Sequence, residues 1–310
     1  ISALTIIMSE NILINKFYLG DKKNEFKDNN EFKNPINKNY NCGYEDNDVF
    51  NIDQIFLKCL KKNNQNNQTL FFIGDSHNGS LYFGAEFIAK NTKSNFFSYY
   101  AGNVSFPAIR YGNLKKIDIA LEQKNLVFKK LEKEFIKRAK SGDIIFITIH
   151  MPGKFLKEKW YKEKYVNFER WISSLKDFVI QLNKNNVNVI ISTPTPEFEL
   201  AKLRRCKGQN PQWFNKINQI ECKIPLEFYT SKNGKYYSLI KKLNNVSEKH
   251  TNLFLFDSLK VICPNSECKY FSDGQLLYKT SHHISHYGYR YIVAPELLKF
   301  VRENNLLLKK

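Results

Sequence analysis

Five apolar runs, each separated from the next by a helical pattern, limit this chain to a sheet covered by helices on both faces. The runs fall at 69–74, 94–101, 143–150, 187–192 and 253–257, as in Leu70-Phe-Phe-Ile-Gly74 and Ile144-Ile-Phe-Ile-Thr148. A strand with one wet face alternates apolar and polar residues. These runs do not alternate, so both of their faces must be buried, which is the condition of a parallel sheet. Between them lie residues at helical spacing: about Asn78 to Lys90, Ile117 to Lys140 closed by Ser141-Gly142, and Phe168 to Asn185 with Trp171, Leu175, Phe178 and Leu182 on one stripe. Further helices are expected from Tyr236 to Lys249 and from His286 to about Asn304. The expected fold is α/β, three layers around a parallel sheet of about five strands.

The 310 residues suffice for one such domain with additions. We expect it to occupy 69–310, with a Cys- and aromatic-bearing insertion at about 197–235. Residues 1–68 read as an N-terminal extension, with a solvated Asn-, Lys- and Asp-rich linker at 24–48. Ile1–Met8 is apolar but shorter than the roughly 18 residues that cross a bilayer. It reads either as a stray apolar terminus or as the end of a transmembrane segment that begins upstream. The chain is 42% hydrophobic, which excludes wholesale disorder. Its net charge of +18 is spread through Lys- and Asn-rich runs such as Lys61-Lys-Asn-Asn64. With no zinc-finger spacing, RNA-binding aromatic signature or Arg-rich helix, nucleic acid is not expected as a partner.

In doubly wound sheets, ligands sit beyond the carboxyl ends of the strands. Of the six histidines, five fall in segments expected there: His77, His150, His282, His283 and His286. The first strand also delivers Gly74-Asp75-Ser76. A serine on a strand-to-helix turn is placed as a nucleophile, with backbone N–H groups beside it to hold an oxyanion and a histidine as base. A metal is not expected. His282 and His286 have i,i+4 spacing, but Ser285 and Gly288 mark a helix start there, and His77 and His282 read as supporting or surface residues. No cofactor is implied.

Two separated segments carry a resemblance. Ile73-Gly-Asp-Ser-His77 resembles the first block of the SGNH/GDSL hydrolases, and Asp273 to Tyr278 with His283-Ile-Ser-His-Tyr-Gly288 resembles their terminal block. Together with Cys263-Pro264 and Cys268, these are similar to the SGNH domain fused behind the membrane domain of acyltransferase-3 proteins, which O-acetylate bacterial surface polysaccharides. The resemblance implies an SGNH-hydrolase (flavodoxin-like) fold with Ser76 as nucleophile, His283 as general base and Asp75 bracing the turn. Its oxyanion hole would use the N–H groups of Ser76 and Gly102. It further implies a surface sugar acceptor, an acyl donor from a fused membrane domain, and an extracytoplasmic, membrane-attached location. The six cysteines fall as neighbours, and connectivity does not follow from sequence alone. The expected pairs are Cys42–Cys59, Cys206–Cys222 and Cys263–Cys268.

Two positions depart from the family pattern. Where an Asn-bearing block is usual, this chain has His150, a candidate substitute donor to the oxyanion. Where an Asp should stand three residues before the base, it has Thr280. Loss of such an Asp costs about 10⁴-fold in one well-studied triad. Three readings remain: His283 oriented by a backbone carbonyl or another carboxylate such as Asp273, a slower Ser–His dyad, or a weak module that mainly binds glycan. An esterase delivering acyl groups to water is the enzymatic alternative to transfer.

Overall fold

The computed structural model describes residues 42–63, 67–109, 119–156, 167–199, 222–272 and 275–308. Strands β1 (Leu60–Lys61), β2 (Thr69–Gly74), β3 (Asn95–Tyr100), β4 (Ile144–Thr148) and β5 (Asn188–Ser192) belong to the main sheet. After the short β6 (Lys223–Pro225), β7 (Leu253–Phe256) completes it. The order is β1-β3-β2-β4-β5-β7. Every neighbouring pair is parallel except β1 with β3. Helices α1 (Ile52–Cys59), α2 (Ser76–Thr92), α3 (Ile119–Arg138), α4 (Met151–Phe155), α5 (Phe168–Asn183), α6 (Glu227–Thr230), α7 (Tyr237–Ser247), α8 (Ser258–Ile262) and α9 (Ala294–Glu303) connect and cover it. β6 pairs with β8 (Glu267–Lys269), and β9 (Phe271–Ser272) with β10 (Gln275–Leu276), as small antiparallel ribbons.

The apolar runs are buried on both faces because successive side chains point to opposite sides of a strand. Phe71 and Ile73 join Phe97, Ile145 and Ile147 in one core, roofed by Phe128 and Phe135 of α3, Trp171 and Phe178 of α5, and Leu243 of α7. Leu70 and Phe72 join Phe96, Ile144 and Phe146 in the other, under Leu81 and Ile88 of α2 and Leu297 of α9. Phe72 and Phe146 stack across the β2–β4 pair at 4.3 Å between ring centroids. Asn78, fully buried in the first turns of α2, donates through Nδ2 to the carbonyls of Phe72 and Tyr99, so the helix start is fastened to β2 and β3. Gly74 ends β2 where a Cβ would lie 1.8 Å from the Thr148 carbonyl oxygen. No other residue fits that close approach of β2 to β4.

The expected parallel strands all form, within a residue or two of their predicted ends. The sixth strand comes from the N-terminal side: β1 adds antiparallel to β3 directly after α1. Residues 42–61 pack against the sheet, contrary to the solvated-linker reading of 42–48. The Tyr44 N–H donates to the Tyr100 carbonyl, and the Tyr99 hydroxyl donates to Asp48. Few apolar residues are needed for this, because Cys42–Cys59 staples the segment to α1. Cys263–Cys268 forms as well. Cys206 lies outside the described residues, as do residues 1–41 and most of the 197–235 insertion. Among the described residues, no helix is long and apolar enough to cross a membrane. The final helix begins as a π-helical stretch, Gly288–Val293, before α9.

Candidate active site

The connection after β2 runs to one face of the sheet and that after β4 to the other, so their loops diverge at a topological switch point. Such a crevice is where ligands bind in open α/β sheets. Asp75, 1% exposed, caps α2 here. Its Oδ1 accepts the His77 N–H at 2.9 Å, and its Oδ2 accepts the His150 N–H at 2.8 Å from the β4 loop. The Lys154 ammonium lies 3.0 Å from Oδ2. Burial pushes the Asp75 carboxyl up, but Lys154, His150 and the two backbone donors outweigh it and hold the group below its ordinary range. The Asp75 carbonyl also accepts from the N–H groups of Asn78 and Gly79. The first-turn N–H that Asp75 does not take is that of Ser76.

Ser76 is the first residue of α2, and its hydroxyl meets a residue 207 positions away. Ser76 Oγ lies 2.8 Å from His283 Nε2. The segment carrying His283 is fastened first by its own turn: the Lys279 N–H donates to the His283 carbonyl, and the Ser285 N–H to the Leu277 carbonyl. Ser285 Oγ then accepts from the Gly288 N–H, the capping role expected of it. On the far side of the imidazole, Nδ1 lies 2.9 Å from Thr280 Oγ1, which also accepts the His283 N–H at 3.1 Å. A hydroxyl thus occupies the place where the family has a carboxylate. Asp273, the alternative carboxylate, lies outside the described residues.

Four of the five grouped histidines meet as rings. His77 lies 4.8 Å from His150 and 4.8 Å from His283, while His282 lies 4.3 Å from both His150 and His283. His286 instead faces the Ser80 carbonyl and packs edge-on to Phe83, tying the terminal segment to α2. Gly102 sits in the turn after β3, next to Ala101, whose N–H donates to the Gly74 carbonyl. A Cβ there would meet nothing within 4 Å, so packing does not demand this glycine. His150 Nε2 is hydrogen-bonded to the Glu197 carboxylate, so any donation by His150 to an oxyanion falls to Nδ1. Glu197 also pairs with Lys235 at 2.7 Å. Burial pushes the Glu197 carboxyl up, yet His150 and Lys235 bring it down to about 2.

Sequence reasoning missed Lys154, Glu197 and Lys235. The rule that found His150, polar residues beyond strand ends, also reaches Glu197 when applied past β5, in Thr193-Pro-Thr-Pro-Glu197. Lys154 carried no signal, because a lysine is ordinarily a surface residue.

Burial holds His77, His282, His283 and His286 below the ordinary histidine range, His282 at about 3. Below about pH 6.5 the unfolded chain therefore binds more protons than the native one. Stability conferred by these groups is complete above that pH and is lost as the pH falls toward their native values. Asp75 and Glu197, both held low, weaken the fold only below about pH 4. We expect the melting temperature to drop between pH 7 and pH 5 and His282→Gln to shrink the drop. A melting temperature flat over that interval would contradict the burial of these rings.

Among solved structures, the periplasmic domain of a lipopolysaccharide acetyltransferase from Salmonella ser. Paratyphi A matches over 93% of this chain and 98% of its own, at 14% identity and a TM-score of 0.53. An acetylxylan esterase from Geobacillus stearothermophilus matches over 78% of this chain and 97% of its own, at 12% identity and 0.43. A putative acylhydrolase from Bacteroides fragilis covers 79% and 91%, at 12% and 0.40. Among curated proteins no relative matches in sequence. The first likeness supports the fold. The model of one family, described as the SGNH domain fused to AT3 domains, matches residues 41–296, which span both the Ser76 turn and the His283 segment. This chain is a member of that SGNH domain family.

Proposed function

We propose that the domain transfers an O-acyl group, acetyl in the simplest case, to hydroxyls of a cell-surface glycan, outside the cytoplasm and in company with a membrane acyl-donor domain. The observation that carries this reading is the 2.8 Å contact of Ser76 Oγ with His283 Nε2 at the carboxyl end of β2. His283 takes the Ser76 proton as the serine oxygen attacks the acyl carbonyl, and returns it to the leaving group. The same imidazole then deprotonates the acceptor hydroxyl. The oxyanion is held at the start of α2, where the Ser76 N–H and the helix dipole both favour negative charge. In this reading Gly102 and His150 serve as its further donors. The family's description as fused to AT3 domains, and the acetyltransferase whose fold it shares, support transfer to a sugar.

Acceptor partitioning tests this. The chain is given p-nitrophenyl acetate with and without surface polysaccharide, and acetyl on sugar is measured against free acetate. Sugar acetylation that depends on Ser76 is expected. Free acetate alone, whatever the acceptor, would favour an esterase. The Thr280 hydroxyl opposite Nδ1 favours a third reading, a slow module that mainly binds glycan. It makes its own prediction: Thr280→Asp places a carboxylate on Nδ1, stabilises the imidazolium and fixes the ring tautomer. The substitution is expected to raise turnover and move the acid limb of the pH–rate profile upward. A slower enzyme with an unmoved limb would show that Thr280 is not in the carboxylate's place.

A further inference from the structure

His77 is 1% exposed, and its Nε2 is buried without a hydrogen-bond partner. An orphaned ring nitrogen in a native interior needs an explanation, because burial without a partner forfeits the hydrogen bond that water makes to it in the unfolded chain. One ring nitrogen each from His77, His282 and His283 lie within 4.8 Å of one another, the only such group of potential metal ligands among the described residues. The outer nitrogens are spoken for. His282 Nδ1 lies 3.0 Å from Ser281 Oγ, and His283 Nδ1 lies 2.9 Å from Thr280 Oγ1. Metal-binding histidines are typically held this way, with the second nitrogen fixed by a neighbour so that the first presents its lone pair. The nitrogens available to an ion are the orphaned Nε2 of His77 and, opposite those engaged Nδ1 atoms, the Nε2 atoms of His282 and of His283, the last facing Ser76.

We propose that His77, His282 and His283 form a binding site for a zinc-class divalent ion that switches the Ser76–His283 pair off. Three neutral imidazoles suit Zn²⁺, and a His₃ set leaves its fourth position open. In a tetrahedral site adjacent nitrogens lie about 3.3 Å apart, so the widest pair must close by roughly 1.5 Å. The His77 and His282 rings now stack at 16°, with His283 tilted by 35° and 41° to them, and binding requires the rings to turn about their side-chain torsions. The consequence for chemistry follows from one lone pair. When His283 Nε2 gives it to the ion, it no longer accepts the Ser76 proton. Thr280 then acts as an anchor for Nδ1 in the metal-bound state as well. The inhibitory consequence rests on the Ser76–His283 reading; the ion site itself does not.

The experiment uses the tag-free full chain stripped with a chelator. Zn²⁺ is titrated by calorimetry, Co²⁺ is followed by its visible absorption, and release of p-nitrophenol from the acetate ester is measured along the same zinc series. One Zn²⁺ per chain is expected, displacing the Co²⁺ signal, with activity falling along the binding curve. His77→Gln and His282→Gln should each weaken binding at least tenfold and shift the inhibition midpoint by the same factor. Ser76→Ala should keep the ion. If His77→Gln does not fold, His282→Gln, at a half-buried position in the loop before the last helix, decides alone. Absence of one-to-one binding, or binding indifferent to the histidine substitutions, would overturn the site. Stoichiometric binding with undiminished activity would overturn the switch. An inactive zinc-free chain would sink the Ser–His reading instead, leaving the calorimetry to decide the ion site.

Discussion

Ser76→Ala is expected to lower acyl turnover by at least about 10³-fold while leaving the fold intact, as loss of a nucleophilic serine does elsewhere. The asymmetry follows from where the residue sits. Ser76 is the first residue of α2, but the cap of that helix is Asp75, whose carboxylate and carbonyl take the first-turn N–H groups of His77, Asn78 and Gly79. Removing Oγ therefore costs no cap, and alanine is the best helix former, so stability should change by no more than about 0.5 kcal/mol. The chemical loss is of another order, because the hydroxyl that His283 Nε2 meets is gone. His283→Ala should match it, and the double variant should be little worse than either single one, since the two act as a unit. Turnover by release of p-nitrophenol and melting by circular dichroism separate the two effects.

Asp75→Asn should have the largest effect on stability. The carboxylate is buried, accepts backbone N–H groups from both sides of the switch point and pairs with Lys154, itself 8% exposed. An amide in its place presents an NH₂ to one of those donors and leaves the Lys154 ammonium without its counter-charge. Breaking a buried pair from one side costs about 3–5 kcal/mol, and the melting temperature should fall by on the order of 10 °C. Because Asp75 joins the β2 and β4 loops, activity should fall with it. Adding Lys154→Met removes the stranded charge and should recover part of the stability, which a general loss of folding would not do. A single variant that melts like the parent would show that Asp75 does not bear this load.

Much of this was legible in the sequence for a definite reason. A strand buried on both faces has to be written as an unbroken apolar run, so β2, β4 and β5 announced themselves, and a parallel sheet covered by helices followed from their alternation with helices. Ser76 and His283 were singled out because each sits in a short segment that resembles an SGNH block, and the neighbours that make up those segments serve geometry: Gly74 for the approach of β2 to β4, Asp75 as cap, Ser285 as the start of the last helix. What escaped was set by tertiary charge. Lys154 and Lys235 read as two more surface lysines in a chain with 48 basic residues, and only the folded carboxylates of Asp75 and Glu197 single them out. The ring cluster was half visible. Histidines at strand ends were evident, but their contacts depend on how the terminal segment docks over α2. β1 was hidden because two residues make no pattern.

The central claim is that Ser76 is a nucleophile activated by His283. Intact-mass and peptide mapping of the chain after exposure to a fluorophosphonate tests it directly. We predict a single adduct, on Ser76, abolished by Ser76→Ala and strongly slowed by His283→Ala. An unmodified chain under conditions that label a related esterase, or an adduct on another residue with Ser76 untouched, would contradict it.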